Sequence, residues 1–160
     1  MSKKKKNNDL FNLLAVCGGL LGVVALVLYL FTPVLGVVVT LGDPYINTGA
    51  QIIFGTELKT VVVIANYNFS FLGLLLLLVI VVGVAGSLYG FAKKHNLAKL
   101  CAGALLIVSA VLVFITPSLV VFEPLLTIAK STFSLQFGAY ISGILLVFAG
   151  GLNVVSSVLK

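Results

Sequence analysis

The chain has 160 residues, of which 61% are apolar and only 9% charged, with a formal net charge of +6. Soluble domains carry about a quarter charged residues, so this composition excludes an ordinary soluble fold and makes the membrane the solvent. The positive charge comes from ten lysines and no arginine, which argues against nucleic acid, because arginine is the usual base reader and phosphate clamp.

Residues 1–9, MSKKKKNND, read as a disordered basic tail, with residues 10–160 as one membrane domain. A helix needs roughly 20 apolar residues to cross a ~30 Å hydrocarbon core. The first such run covers about 10–32 and is too long for the apolar region of a secretory signal, so it is expected to stay uncleaved. Leu14-Ala15-Val16-Cys17 falls short of a lipidation motif, because Val16 is not small. The run meets Thr32-Pro33, and since proline removes a backbone donor, Thr-Pro is expected to mark the outer helix end.

Residues 33–68 form the longer external loop. LGDPY reads as a turn. Gly36 to Leu41, Gln51 to Phe54 and Thr60 to Ile64 have strand composition. TGAQIIFG reads equally as a short interfacial helix with Ile52, Ile53 and Phe54 dipping into the headgroups. A second span is expected at about 69–91, a tight inner loop at 92–96, a third span at 97–121, a short outer loop at 122–134 and a fourth span at 135–159. The short inner loop makes the second and third spans antiparallel neighbours.

One stretch occurs twice. Cys17 to Val37 aligns without a gap on Cys101 to Val121, sharing Cys17/Cys101, Gly19/Gly103 and the pair Thr32-Pro33/Thr116-Pro117. This is an offset of 84. The second and fourth spans align at an offset of 64, sharing Phe69-Ser70/Phe133-Ser134 and Ala85-Gly86/Ala149-Gly150. Both hairpins start on the same side, so the pattern is a parallel repeat. The expected fold class is all-α integral membrane: four helices in an up-down bundle built from two related hairpins.

Lysine placement sets the orientation. With both termini inside, Lys3, Lys4, Lys5, Lys6, Lys93, Lys94, Lys99 and Lys160 are cytoplasmic, against Lys59 and Lys130 outside. The positive-inside rule selects that topology in the cell membrane. The Lys3–Lys6 run is expected to face anionic headgroups of the bilayer.

The four spans contain no charged residue between their ends, which argues against a proton-coupled pump, since such machines need intramembrane ionisable groups. Asn153 and Ser109 are the notable polar groups, each expected to hydrogen-bond between helices. No catalytic, cofactor-binding or metal-binding residue is expected: one His and two Cys give no ligand spacing, and His95 has no carboxylate near it in sequence. Cys17 and Cys101 read as small packing residues. Tyr29, Tyr89 and Tyr140 read as interface anchors. Gly18, Gly22, Gly83, Gly86, Gly90, Gly103, Gly150 and Gly151 are the helix-packing candidates, because small residues let backbones approach in lipid. They fall in the cytoplasmic half, so the bundle is expected to be tight there and more open outward.

TGAQIIFG, FITPSLVVF and FGAYISGILLVFAGGL resemble segments of a group of uncharacterised small four-span membrane proteins of Gram-positive-type bacteria. The resemblance implies four spans and no activity. The plan is also similar in layout to tetraspan, claudin-like proteins, although the Trp and Cys residues of the claudin first loop are absent. The function expected is that of a non-enzymatic structural or accessory subunit, packing with itself or with a membrane partner. The alternative is a small oligomeric channel or transporter subunit, whose mark is a continuous polar stripe.

Overall fold

The computed structural model describes residues 3–39, 45–59, 64–119, 122–124 and 131–159. In chain order these form α1 (Lys3–Phe31), β1 (Pro33–Val39), β2 (Tyr45–Thr48), α2 (Gly49–Phe54), β3 (Thr56–Lys59) and β4 (Ile64–Tyr67). They continue as α3 (Phe71–Ala92), α4 (Asn96–Phe114), α5 (Thr116–Leu119), β5 (Phe122–Pro124), β6 (Ser131–Leu135) and α6 (Phe137–Val158). Among the described residues, four helical segments are long and apolar enough to cross a membrane: Phe11–Phe31, Phe71–Ala92, Asn96–Phe114 and Phe137–Val158. The chain is a multi-pass membrane protein on that ground.

The four long helices pack in a ring. α1 touches α3, α3 touches α4, α4 touches α6 and α6 returns to α1. All strands gather at one end, where the odd passes finish and the even passes begin. The other end carries the start of α1, the turn between α3 and α4, and the finish of α6.

The basic tail departs from expectation. α1 begins at Lys3 rather than near Leu10. Lys3 to Leu10 contains neither Gly nor Pro, and a helix propagates readily once an apolar turn has nucleated it. At 1.5 Å per residue α1 is about 43 Å long, longer than a ~30 Å hydrocarbon core.

The two Thr-Pro sites behave differently. At the first, α1 stops at Phe31 and Pro33 opens β1. The Thr32 hydroxyl donates to Leu28 O at 2.6 Å, doubling the backbone bond from Thr32 N at 2.9 Å. At the second, α4 ends at Phe114 and Thr116-Pro117 starts the separate turn α5, so the third span does not run on to Val121. Proline is well placed in a first helical turn, where its missing donor has no partner to lose.

The strands gathered at one end form two small antiparallel sheets, ordered β2-β1-β6 and β3-β4-β5. The outer loop expected at 122–134 therefore holds strands β5 and β6, apart from residues outside those described. Pairing joins non-adjacent parts of the chain: β1, which follows α1, pairs with β6, which precedes α6. Likewise β5, which follows α4 and α5, pairs with β4, which precedes α3.

TGAQIIFG folds as the helix α2, not as a strand over Gln51 to Phe54. Thr48 and Gln51 form a reciprocal capping box: Gln51 N donates to Thr48 Oγ1 at 3.4 Å, and Thr48 N donates to Gln51 Oε1 at 2.9 Å. Gly55 ends it at φ 87°, a conformation that only glycine adopts without strain. Ile52 and Ile53 are buried rather than dipped into lipid; Ile53 lies against Gly73 of α3, and Phe54 alone faces outward. The strand expected at Thr60 to Ile64 lies outside the described residues except for Ile64.

Candidate functional site: a polar cluster inside the lysine-rich end

Buried residues on each span recur every three to four positions and so form one face per helix. On α3 the face is Gly73, Leu76, Ile80, Gly83, Val84, Ser87 and Gly90. On α4 it is Lys99, Ala102, Gly103, Leu106, Ser109, Ala110 and Val113. On α6 it includes Ser142, Leu146, Ala149, Asn153 and Ser156. The polar members of these faces meet α1 near the lysine-rich end.

Ser87 on α3 bridges two helices. Its hydroxyl lies 2.7 Å from Ala15 O of α1 and 2.6 Å from Asn153 Oδ1 of α6. Asn153 Nδ2 donates to Ala149 O at 2.8 Å, which fixes the amide orientation and leaves Oδ1 toward Ser87. The serine has one proton for two acceptors, so it is shared between them. Nearby, Ser156 Oγ donates to Phe11 O at 2.6 Å. Asn153 thus bonds between helices as expected. Ser109 does not: its hydroxyl donates to Leu105 O of its own helix at 2.8 Å, the usual recourse of a serine on an apolar helix.

Lys99 completes the cluster. It is 1% exposed, and its ammonium donates to Asn12 Oδ1 of α1. Its stem crosses Gly90 of α3, where an added Cβ would lie 2.7 Å from Lys99 Cγ and 3.0 Å from Lys99 N. Lys99, expected as a topology signal, is a buried cation that reaches Asn12 of α1. Two signals in the sequence mark it: its place on the buried period of α4, and a glycine one short turn away at the end of α3.

Above the cluster the interior is apolar. Gly22 of α1 faces Val84 and Leu106, and Ala25, Ile80, Leu146 and Ala110 join the same buried core. Beyond this layer lie a few more polar groups. Tyr29, 1% exposed, holds its hydroxyl 3.4 Å from Thr116 Oγ1, so it is a core residue and not an interface anchor. Tyr89 and Tyr140 are exposed. Ser142 Oγ is buried with no hydrogen-bond partner among the described residues. Because that hydroxyl is desolvated without return, Ser142→Ala is expected to leave thermal stability unchanged or to raise it by up to about 1–3 kcal/mol in an unfolding titration; a loss of similar size would show that the hydroxyl has a partner.

The packing glycines lie as follows. Gly103 and Gly150 oppose one another, an added Cβ on either lying 2.8 and 2.7 Å from the carbonyl oxygen of the other. Gly18 faces Ala149 O and Asn153, Gly83 faces Leu106, and Gly86 faces Ala102. Gly151 meets nothing within 4 Å. Close approach is not confined to the lysine-rich half, since Gly138 abuts Thr32 and Pro33 at the sheet end. Cys17 and Cys101 are free thiols on the outer surface, not packing residues inside the bundle. His95 caps α4, with Nδ1 accepting from Ala98 N at 3.2 Å.

Comparison of the chain with protein-family models, with curated proteins and with solved structures yields no match.

Proposed function

We propose that this chain is a non-enzymatic structural or accessory subunit of the cell membrane, with both termini cytoplasmic, that packs against itself or a partner membrane protein. The observation that carries this reading is the closed interior. The polar cluster stops at the apolar layer of Val84, Leu106, Ile80 and Leu146 and does not continue through the bundle. The surface of the four spans is instead almost wholly Leu, Val, Ile and Phe, a surface for lipid or for another apolar helix. The buried Lys99 and its polar neighbours favour a second reading, a channel or transporter subunit, because intramembrane cations are costly and are associated with ion and substrate paths. Native mass spectrometry of the protein gently extracted from its own membrane separates the two. A stoichiometric second protein is the expected result; a homogeneous self-assembly with measurable conductance would overturn the accessory role.

We infer further that the two halves descend from one duplicated hairpin. The sheet register supports this independently of residue identities. In one sheet Val38 pairs with Thr132. Shifting these positions by the two repeat offsets brings them to Phe122 and Asn68. In the other sheet Phe122 pairs with Tyr67, one residue away. The ring order places α1 diagonal to α4 and α3 diagonal to α6, as a two-fold axis along the bundle requires.

A further inference from the structure

We propose that the short helix α2 rests in the boundary between headgroups and hydrocarbon of the bilayer, with Phe54, Phe69 and Phe71 as one lipid-contacting patch. The level of that boundary is set by the spans. Phe31 closes α1, Phe71 opens α3 and Phe137 opens α6, and all three side chains are exposed at the sheet end. From Phe71 to Ala92 is 22 residues, about 33 Å at 1.5 Å per residue, and the exposed Lys93 and Lys94 follow at once. α6 has the same 22 residues. That length matches a ~30 Å hydrocarbon core, so lysines mark one boundary and phenylalanines the other.

α2 is held at the phenylalanine level. Gly49, its first residue, packs directly on Tyr29, two residues before Phe31. Ile53 lies against Gly73, two residues after Phe71, where an added Cβ would stand 3.1 Å from Ile53 Cγ1. Ser70 N donates to Ile53 O at 3.0 Å, so Phe54, Phe69 and Phe71 each stand next to a partner in one hydrogen bond. Phe54 is 62% exposed, and Phe69 and Phe71 are exposed beside it. The exposed Leu72 and Leu75 continue the patch along α3, so the lipid that covers the span also covers the patch. The capping box of Thr48 and Gln51 satisfies two backbone donors that the boundary layer would otherwise leave short of partners.

The patch rests on the four-span reading and not on the accessory role. The chain contains no tryptophan, so a single replacement gives one reporter. Phe54→Trp, Phe71→Trp and Phe148→Trp are each reconstituted as the full chain in phosphatidylcholine vesicles carrying bromine either near the headgroup or at the chain ends, and each is also titrated with iodide from the water. All three replace one exposed aromatic ring with another, which keeps the fold. Phe148 lies near the middle of α6 and reports on the bilayer centre. Phe54→Trp is expected to match Phe71→Trp, quenched about twofold more by headgroup-proximal than by chain-end bromine, with Phe148→Trp showing the reverse. Iodide is expected to quench Phe54→Trp several-fold less than free tryptophan amide. Iodide quenching equal to that of the free amide would place α2 in water and overturn the proposal. So would a Phe54→Trp signal that neither quencher reaches, which assigns the patch to a protein partner or a second copy, and so would strongest quenching by chain-end bromine. Loss of lipid quenching at Phe148→Trp as well would overturn the four-span reading itself, a failure distinct from that of the patch.

Discussion

Gly103→Leu is expected to lower the thermal midpoint of the purified protein by roughly 10 °C, whereas Gly151→Leu leaves it within about 2 °C. The contrast follows from what each new side chain meets. At Gly103 the first added carbon already falls 2.8 Å from Gly150 O and 3.1 Å from Val154 N, both backbone atoms that cannot rotate away. α4 and α6 must separate, and in lipid there is no strong hydrophobic force to hold them once dispersion contacts are lost. A cost of about 3 kcal/mol, the upper end for overpacking, is therefore expected. Gly151, in the same helix one position from Gly150, has open space where its Cβ would stand. Equal effects of the two substitutions in a fluorescence-monitored melt would mean that these helices do not meet at Gly103 and Gly150.

Replacing Gly86 and Gly90 together with leucine is expected to destabilise the single chain by about 2–3 kcal/mol without changing how many copies associate. An added Cβ at Gly90 meets Lys99 at 2.7 Å, and one at Gly86 meets Ala102 Cβ at 3.3 Å. Both contacts lie between α3 and α4 of one molecule. Leucine at position 90 also drives the Lys99 stem from its slot and breaks its bond to Asn12. Amine-reactive labelling of Lys99, quantified by mass spectrometry, is expected to rise severalfold as the ammonium leaves its cover. An altered oligomeric state with unchanged labelling would place this glycine pair at an interface between copies.

Much of the architecture was legible in the chain. Four apolar runs separated by polar turns can only be satisfied in a membrane as helices, since each backbone group must find its partner within its own segment. Pro33 placed the end of α1 correctly, because proline cannot donate to the preceding turn. At Thr116-Pro117 the expected span was carried through the pair to Val121, whereas α4 ends at Phe114 and proline sits in the first turn of α5, where its missing donor has no partner to lose. The helix α2 was readable in principle. Thr48 and Gln51 have capping-box spacing and Gly55 is a stop signal, but the β-branched Ile52 and Ile53 also satisfy a strand pattern.

The polar cluster was less legible for a physical reason. Lys99 lies at a helix end, and lysines there normally reach for water, so position alone gives the surface reading. What turns it inward is the missing side chain at Gly90 on another helix, a tertiary fact. Tyr29 is similar: its sequence position matches an interfacial anchor, yet Gly49 of α2 packs on its ring and covers it. Ser109 and Asn153 looked alike in sequence. Asn153 reaches across because Gly18 leaves it room, while Ser109 is too short to do other than bond to its own helix.

Cysteine-accessibility mapping tests the central claim, four crossings with both ends on one side, most directly. With Cys17 and Cys101 replaced by alanine, single cysteines are placed at Ser2, the exposed Ile46, Lys94 and Lys160 and challenged in intact cells with a membrane-impermeant thiol reagent. Labelling is expected at position 46 alone, with positions 2, 94 and 160 reacting only after the membrane is opened. Labelling of position 94 or of either terminus in sealed cells, or protection of position 46, would contradict that topology.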